Sequence, residues 1–234
     1  MKINRRFTQA DIDVYSTFDW SMRSSKITNT DGSLVFEMSD AEIPSNWSQL
    51  ATDIMVSKYF RKAGVPQLDK NNEPILNNDG VQQTGPERSV KQVVKRLTGC
   101  WRWWGEENNY FDSKIDAEAF EDELTYMLLD QMAAPNSPQW FNTGLNWAYG
   151  ISGPPQGHYI ANNTDGKITR ATDAYSHPQP HACFIQSVDD SLVGENGIMD
   201  LWQREARLFK YGSGTGTNFS SIRGSSEALS GGGH

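Results

Sequence analysis

The most reactive side chains of this 234-residue chain are its two cysteines, and they sit in unlike surroundings. Cys183 heads a strand-like run, Cys183-Phe-Ile-Gln-Ser-Val188, closed by the turn Asp189-Asp-Ser191. A thiol where a strand begins is suited to chemistry as proton donor, nucleophile or reductant. A lone cysteine is nevertheless more often a small buried hydrophobe, and Cys100, between Gly99 and Trp101, is expected to be of that kind. The two cysteines lie far apart and match no zinc spacing, and the four histidines form no His-x-x-x-His pair, so no metal centre is expected.

Three segments place small polar side chains or backbone N–H groups at strand or helix ends, where α/β folds bind ligands. They are the proline-bracketed stretch Pro135–Gly144 with Ser137, the Cys183 strand, and the turn Gly212-Ser-Gly-Thr-Gly216 with Gly214. Each is a weak signal alone. The glycine turn follows a helix instead of opening one, and it lacks the lysine of a phosphate-binding P-loop, so by itself it is a structural turn. Asp189 and Asp190 suggest an acid–base pair, but neighbours on a turn point apart, which favours a solvated turn. Arg223, one residue beyond the next strand-like run, is a candidate contact for an anion or a base.

The elements that must position these groups follow from periodicity. Residues 1–50 are polar, mixed and arm-like. Ile54–Ala63 reads as a short helix or strand, and 67–86 as loop or hairpin. Ser89 caps a helix whose Val90, Val93, Val94 and Leu97 share one face, with Gly99 expected to end it. Ser113 opens a second helix with Phe120, Leu124, Met127, Leu128 and Met132 as its apolar stripe, stopped by Pro135. Trp101, Trp103 and Trp104 are expected in core or interface. Residues 135–144 read as a compact loop and 150–180 as a long irregular segment. A third helix is expected over 197–211, with Ile198, Leu201, Trp202, Ala206 and Phe209 inward, and a second strand over 217–222.

The net charge of −8 carries no basic stripe, which argues against a nucleic-acid partner. The 8 Trp, 8 Tyr and 10 Phe argue against disorder. No apolar run approaches the ~18–20 residues of a membrane span, and no secretory signal follows the charged N-terminus, so a cytoplasmic location with reduced thiols is expected. The chain closes on Leu229-Ser-Gly-Gly-Gly-His234 with no terminal helix or strand, which suggests the N-terminal piece of a longer protein.

In this order the segments are specific. Pro135-Asn-Ser-Pro-Gln-Trp-Phe-Asn-Thr-Gly144, Ala182-Cys-Phe184, Asp189-Asp-Ser-Leu192 and Gly212-Ser-Gly-Thr-Gly-Thr-Asn-Phe-Ser-Ser-Ile-Arg-Gly224 resemble the catalytic subunit of ribonucleotide reductase, in its adenosylcobalamin-dependent class II form. Ser57-Lys-Tyr-Phe60, Trp104-Gly-Glu-Glu-Asn-Asn-Tyr-Phe111 and the closing glycines extend the likeness over most of residues 50–233. The resemblance implies an α/β fold: a mainly helical region over 1–134, then over 135–234 the first strands of a ten-stranded barrel, incomplete in this chain. It implies that Cys183 is one of two thiols that reduce the ribose. Ser137, Ala182, Cys183 and Gly214 would bind a ribonucleoside di- or triphosphate. Asp190, Ser191, Leu192 and Arg223 would bind a deoxynucleotide effector at the interface of a homodimer.

The radical cysteine, its flanking Asn and Glu, the second redox cysteine and the late phosphate-binding segment of that family have no counterpart in these 234 residues. The fragment alone is therefore expected to be inactive, and poorly soluble because open sheet edges seek partners. Adenosylcobalamin is the implied cofactor, with no contact residue assigned. Two other readings stay open: an effector-binding, dimerising fragment without catalysis, and the N-terminal part of a class I large subunit, which relies on a separate radical-generating protein.

Overall fold

The computed structural model describes residues 1–229 apart from 72 and 163. The chain forms two compact units, Met1–Gln179 and a second that starts at Pro180. The expected division at 134/135 concerned the family's domains; these compact units divide after Gln179.

The first unit is mixed α/β: over 1–134, expected to be mainly helical, the helices stand beside a long β-hairpin. β1 (Trp20–Thr28) and β2 (Leu34–Pro44) form a long antiparallel hairpin where an arm was expected. An Asp31-Gly32 turn closes it, with Gly32 N–H donating to Asn29 O and the Asp31 carboxylate accepting from Ser33. The alternation that marks a strand is hidden by a bulge. Phe36 and Met38 pack toward the core in one phase, Ala41 and Ile43 in the other, and the register shifts between Arg23 and Ser25. The expected hairpin over 67–86 is present, with β3 (Val65–Pro66) paired to β4 (Thr84–Gly85).

Behind β2 lie α1 (Gln49–Ile54), a π-helical turn over Met55–Tyr59, α2 (Val90–Glu107) and α3 (Lys114–Leu129). Ser89 caps α2 in a full capping box with Gln92, as its sequence predicts. Val90, Val93, Val94 and Leu97 are fully buried against Ala41, Ile43, Val56 and Leu129. Gly99 does not end this helix. It lies inside it because a Cβ there would stand 2.4 Å from the Trp147 ring, so the small residue admits an aromatic neighbour at full contact. The tryptophans expected in core or interface lie in the continued helix, and Trp103 is 40% exposed. Ser113 caps α3 as expected, but Met132 at the far end of the predicted stripe is 49% exposed.

The expected loop at 135–144 is helical instead. Asn136 caps α4 (Ser137–Asn142), with Pro138 inside its first turn, and α5 (Leu145–Tyr149) follows. Proline is at home in a first turn, where N–H groups lack partners anyway. Gly144 joins the two helices at φ 79°, and a Cβ there would meet Arg96 O at 1.9 Å. The irregular segment beyond contains a short hairpin, β5 (Tyr159–Ala161) with β6 (Ile168–Arg170).

The N-terminal segment is strapped to α3 by acidic side chains. Ile3 N–H donates to Asp116 at 2.8 Å, Arg5 pairs with Asp122 at 2.6 Å, and the N–H groups of Phe7 and Thr8 reach Glu123 at 3.0 and 2.8 Å. Phe7 stacks on Tyr126. The Ser113 hydroxyl and Ile3 N–H hold the Asp116 carboxyl below its ordinary range. Burial pushes Glu123 up, but donation from the Thr8 hydroxyl and from the N–H groups of Thr8, Arg6 and Phe7 outweighs it, and the net shift is down. A carboxyl lowered by folding stabilises the strap above its unfolded value of ~4 and stops doing so as the pH falls through the lower, folded value. The Phe7 and Thr8 amide resonances should therefore hold from pH ~7 to ~5 and reach random-coil positions by pH ~2. Unchanged dispersion at pH ~2 would mean that these contacts contribute nothing.

The second unit is a strand–helix–strand unit. β7 (Cys183–Ser187) and β8 (Gly214–Asn218) are parallel, and α6 (Ile198–Lys210) crosses between them. β8 begins three residues earlier than the expected 217–222, because Gly214-Thr-Gly-Thr217 pairs in register with Cys183-Phe-Ile-Gln186 instead of turning. Of the inward positions expected on α6 only Leu201 is buried. Trp202 is 63% and Phe209 57% exposed, since a two-stranded sheet offers cover for one narrow stripe. The described residues hold four two-stranded sheets and no closed barrel. Residues 230–234, with the closing glycines, lie outside the described residues. Among the described residues no helix is long and apolar enough to cross a membrane.

Candidate functional site

The thiol of Cys183 sits at the head of β7, side by side with Gly214 at the head of β8. Two further contacts fix this pairing. Gly214 N–H donates to Ala182 O at 2.6 Å, and the Ser213 hydroxyl donates to His181 O at 2.9 Å. Parallel strands in register show the same face at paired positions. Cys183 and Ile185 therefore share one face with Gly214 and Gly216. Phe184 and Gln186 share the other with Thr215 and Thr217, whose hydroxyls both donate to Glu205 of α6, at 2.9 and 2.7 Å. Helix α6 thus covers one face and leaves the thiol face open, with Cys183 exposed.

Glycine at alternate positions of β8 strips that open face of side chains. A Cβ on Gly214 would lie 3.5 Å from Cys183 Sγ and 3.6 Å from Ala182 O, an ordinary contact with no clash. Folding does not demand glycine there. What it provides is bare backbone beside a thiol, onto which a flat or ring-shaped ligand can settle.

Cys100 is the opposite case. It is 2% exposed inside α2, and burial pushes its thiol up to about 12. At pH 8 a thiol reagent is expected to label one cysteine in the folded chain, Cys183, and both in guanidinium. Two fast equivalents in the native protein would contradict these placements.

The loops beyond the two strands are tied together. Arg223 pairs with Asp190 at 2.5 Å, and each is about one-third exposed. The Ser191 hydroxyl accepts from Gly194 N–H at 3.0 Å and its carbonyl accepts from Ile198 N–H, so Ser191 builds the turn into α6. Leu192 projects into solvent, 59% exposed. A carboxylate, a guanidinium and an exposed apolar side chain thus lie on one small surface.

Ser137 belongs to the first unit and is held by a network that sequence reasoning missed. Its hydroxyl lies 3.1 Å from the Tyr59 hydroxyl, and the Tyr59 ring stacks on Trp140. Behind them Arg96 and Glu87 form an ion pair with no exposure on either side. Arg96 donates to Glu87 at 2.8 Å, to Thr143 O at 2.8 Å, to Trp140 O at 2.7 Å and to Tyr59 O at 3.3 Å, so it closes the C-terminal end of α4. Glu87 also accepts from Arg61 N–H at 2.7 Å and from the Tyr149 hydroxyl at 2.8 Å. Burial, and then that carboxylate, push the Tyr149 phenol far up. The available signal was position: Arg96 falls beside Leu97 on the arc that carries Val93 and Cys100.

Among the described residues no group of three or more histidine, cysteine or carboxylate side chains is arranged to hold a metal ion.

Comparison with known proteins matches residues 21–131 to the family described as class II vitamin B12-dependent ribonucleotide reductase, and residues 181–234 to the ribonucleotide reductase barrel domain. A vitamin B12-dependent ribonucleotide reductase of Agrobacterium fabrum is 52% identical over 249 aligned residues, covering 100% of this chain and 20% of the relative. Its counterpart in Bradyrhizobium diazoefficiens is 53% identical over 250, with the same coverage. That of Rhodopirellula baltica is 42% identical over 219, covering 94% of this chain and 19% of the relative. The chain spans about a fifth of the length of these relatives.

Proposed function

Because the chain belongs to the class II, vitamin B12-dependent ribonucleotide reductase family, we propose that it is the N-terminal part of a catalytic subunit that reduces ribonucleotides to 2′-deoxyribonucleotides. The observation that carries this reading is the exposed Cys183 thiol beside the bare backbone of Gly214.

In this reading the ribose lies on the open face of β7 and β8, where Ala182, Cys183 and Gly214 contact the substrate; Ser137, in the first unit, is proposed by itself as a substrate contact. The reaction replaces the 2′-hydroxyl by hydrogen. A thiyl radical on a cysteine outside this chain removes the 3′ hydrogen and later returns it. The 2′-hydroxyl leaves as water with a proton from Cys183. Cys183 and a second thiol outside this chain supply the two electrons and end as a disulfide, so one ribonucleotide and two thiols give one deoxyribonucleotide, one water and one disulfide. An external dithiol must reduce that disulfide before the next cycle.

Adenosylcobalamin, when bound, supplies the radical that starts the cycle. The donor set described here does not single out a contact for it. His158 Nε2 is engaged by His177 O, and the His181 ring packs against Phe184.

Asp190, Ser191, Leu192 and Arg223 are proposed to take the deoxynucleotide effector at a homodimer interface. The Asp190–Arg223 pair gives this site an acceptor for a ribose hydroxyl and a donor for a base or phosphate, and its partial exposure leaves both reachable. The Ser191 contribution would be the shape of the turn, since its hydroxyl is already engaged. The direct test joins this chain to the remaining barrel of a close relative and assays deoxyribonucleotide formation with adenosylcobalamin and a dithiol. Activity without a separate radical-generating protein supports the reading. A folded, cofactor-binding chimera that never forms product would sink it.

A further inference from the structure

We propose that the cleft bounded by Lys58, Tyr59, Lys62, Phe141 and Asn142 is a binding site for the phosphate groups of a nucleotide. The cleft measures about 280 Å³ and opens where the π-helical turn meets the end of α4. Irregular helical turns of this kind are frequent at functional sites.

Its chemistry is unlike that of the surface around it. The chain carries eight more negative than positive charges. Yet among the described residues neither Lys58 nor Lys62 has a carboxylate within ion-pairing distance, and the two repel each other. Lys62 donates to Val56 O and lies over the Phe36 ring at 4.2 Å, which fixes its ammonium instead of leaving it to sweep through solvent. Burial pulls this amine down to about 8, with Glu87 opposing and Lys58 adding to the fall. An anion bound between the two lysines would reverse that cost. On the other wall the Asn142 carboxamide has no hydrogen-bond partner among the described residues, and Phe141 and Tyr59 pack at 5.4 Å. Two unneutralised ammonium groups, a free amide and aromatic walls suit a phosphorylated ligand better than an apolar or cationic one.

Tyr59 is shared between this cleft and Ser137, through the 3.1 Å contact of their hydroxyls. The anion site stands on the two lysines and Asn142 and does not rest on the reading of Ser137 given above.

The test titrates this chain with tripolyphosphate and, separately, with a ribonucleoside triphosphate, following tryptophan fluorescence and calorimetric heat. Lys58→Gln and Lys62→Gln should each weaken tripolyphosphate by roughly tenfold, about one charge-assisted hydrogen bond, and the double variant should abolish measurable binding. Lys114→Gln on α3 should leave it unchanged. Ser137→Ala should weaken the nucleotide and not tripolyphosphate, which separates a failure of the Ser137 reading from a failure of the cleft. Tripolyphosphate affinity that is equal in wild type and the Lys58/Lys62 double variant would overturn the proposal.

Discussion

Cys183→Ser in the chain joined to its remaining barrel is expected to abolish sustained deoxyribonucleotide formation. Two losses combine. A serine hydroxyl is a far weaker acid than a thiol, and loss of a positioned proton donor costs ~10²–10⁴ in rate. Serine also cannot enter a disulfide, so the two electrons have no source and no dithiol restores turnover. The substitution is nearly isosteric at an exposed position, so the fold should be intact, with an unchanged melting curve and unchanged Gly214–Ala182 pairing. Steady turnover above a few per cent of wild type would remove Cys183 from the chemistry. Gly214 is the companion case. Its methyl variant has room in the protein but would cover the thiol at 3.5 Å, so Gly214→Ala should fold normally and bind substrate poorly.

Arg96→Met carries the largest expected effect on stability. It leaves Glu87 as a buried carboxylate without its cation, and breaking such a pair typically costs ~3–5 kcal/mol. A domain is stable by only ~5–15 kcal/mol in total. Arg96 also closes the carbonyls of Trp140, Thr143 and Tyr59, so α4 should fray and release Ser137 from Tyr59. Chemical denaturation measures the first consequence. Replacing Glu87 by leucine in the same chain should recover part of the loss, because it removes the stranded charge. Stability of Arg96→Met within ~1 kcal/mol of wild type would show that the pair is not the keystone its burial implies.

The same pair shows why the site was only partly legible in the sequence. Elements with an uninterrupted period and a cap declared themselves: Ser89 with the buried Val90, Val93, Val94 and Leu97 of α2, and Ser113 ahead of α3. So did the strand headed by Cys183. Arg96 and Glu87 are charged, and charge in a sequence reads as surface; only the fold reveals that three carbonyls and a phenol gather around them. The long β1–β2 hairpin was missed because a bulge switches its alternation midway. Gly99 was misread as a stop because glycine's meaning depends on what approaches it, here Trp147. The glycines of β8 misled for a related reason. Gly-x-Gly suggests a turn, yet next to Cys183 it forms a strand whose bare face is the useful property. The apolar face of α6 was legible and its exposure was not, because burial depends on elements that periodicity does not count.

The central claim is that Cys183 is one of the two ribose-reducing thiols of a vitamin B12-dependent reductase. The most direct measurement mixes the completed, pre-reduced enzyme with substrate and adenosylcobalamin in the absence of any external dithiol. After one turnover the cysteines are alkylated and mapped by mass spectrometry. The account predicts about one deoxyribonucleotide per subunit, with Cys183 recovered in a disulfide to a cysteine of the remaining barrel and Cys100 still a free thiol. Product formed while Cys183 stays alkylatable would contradict it.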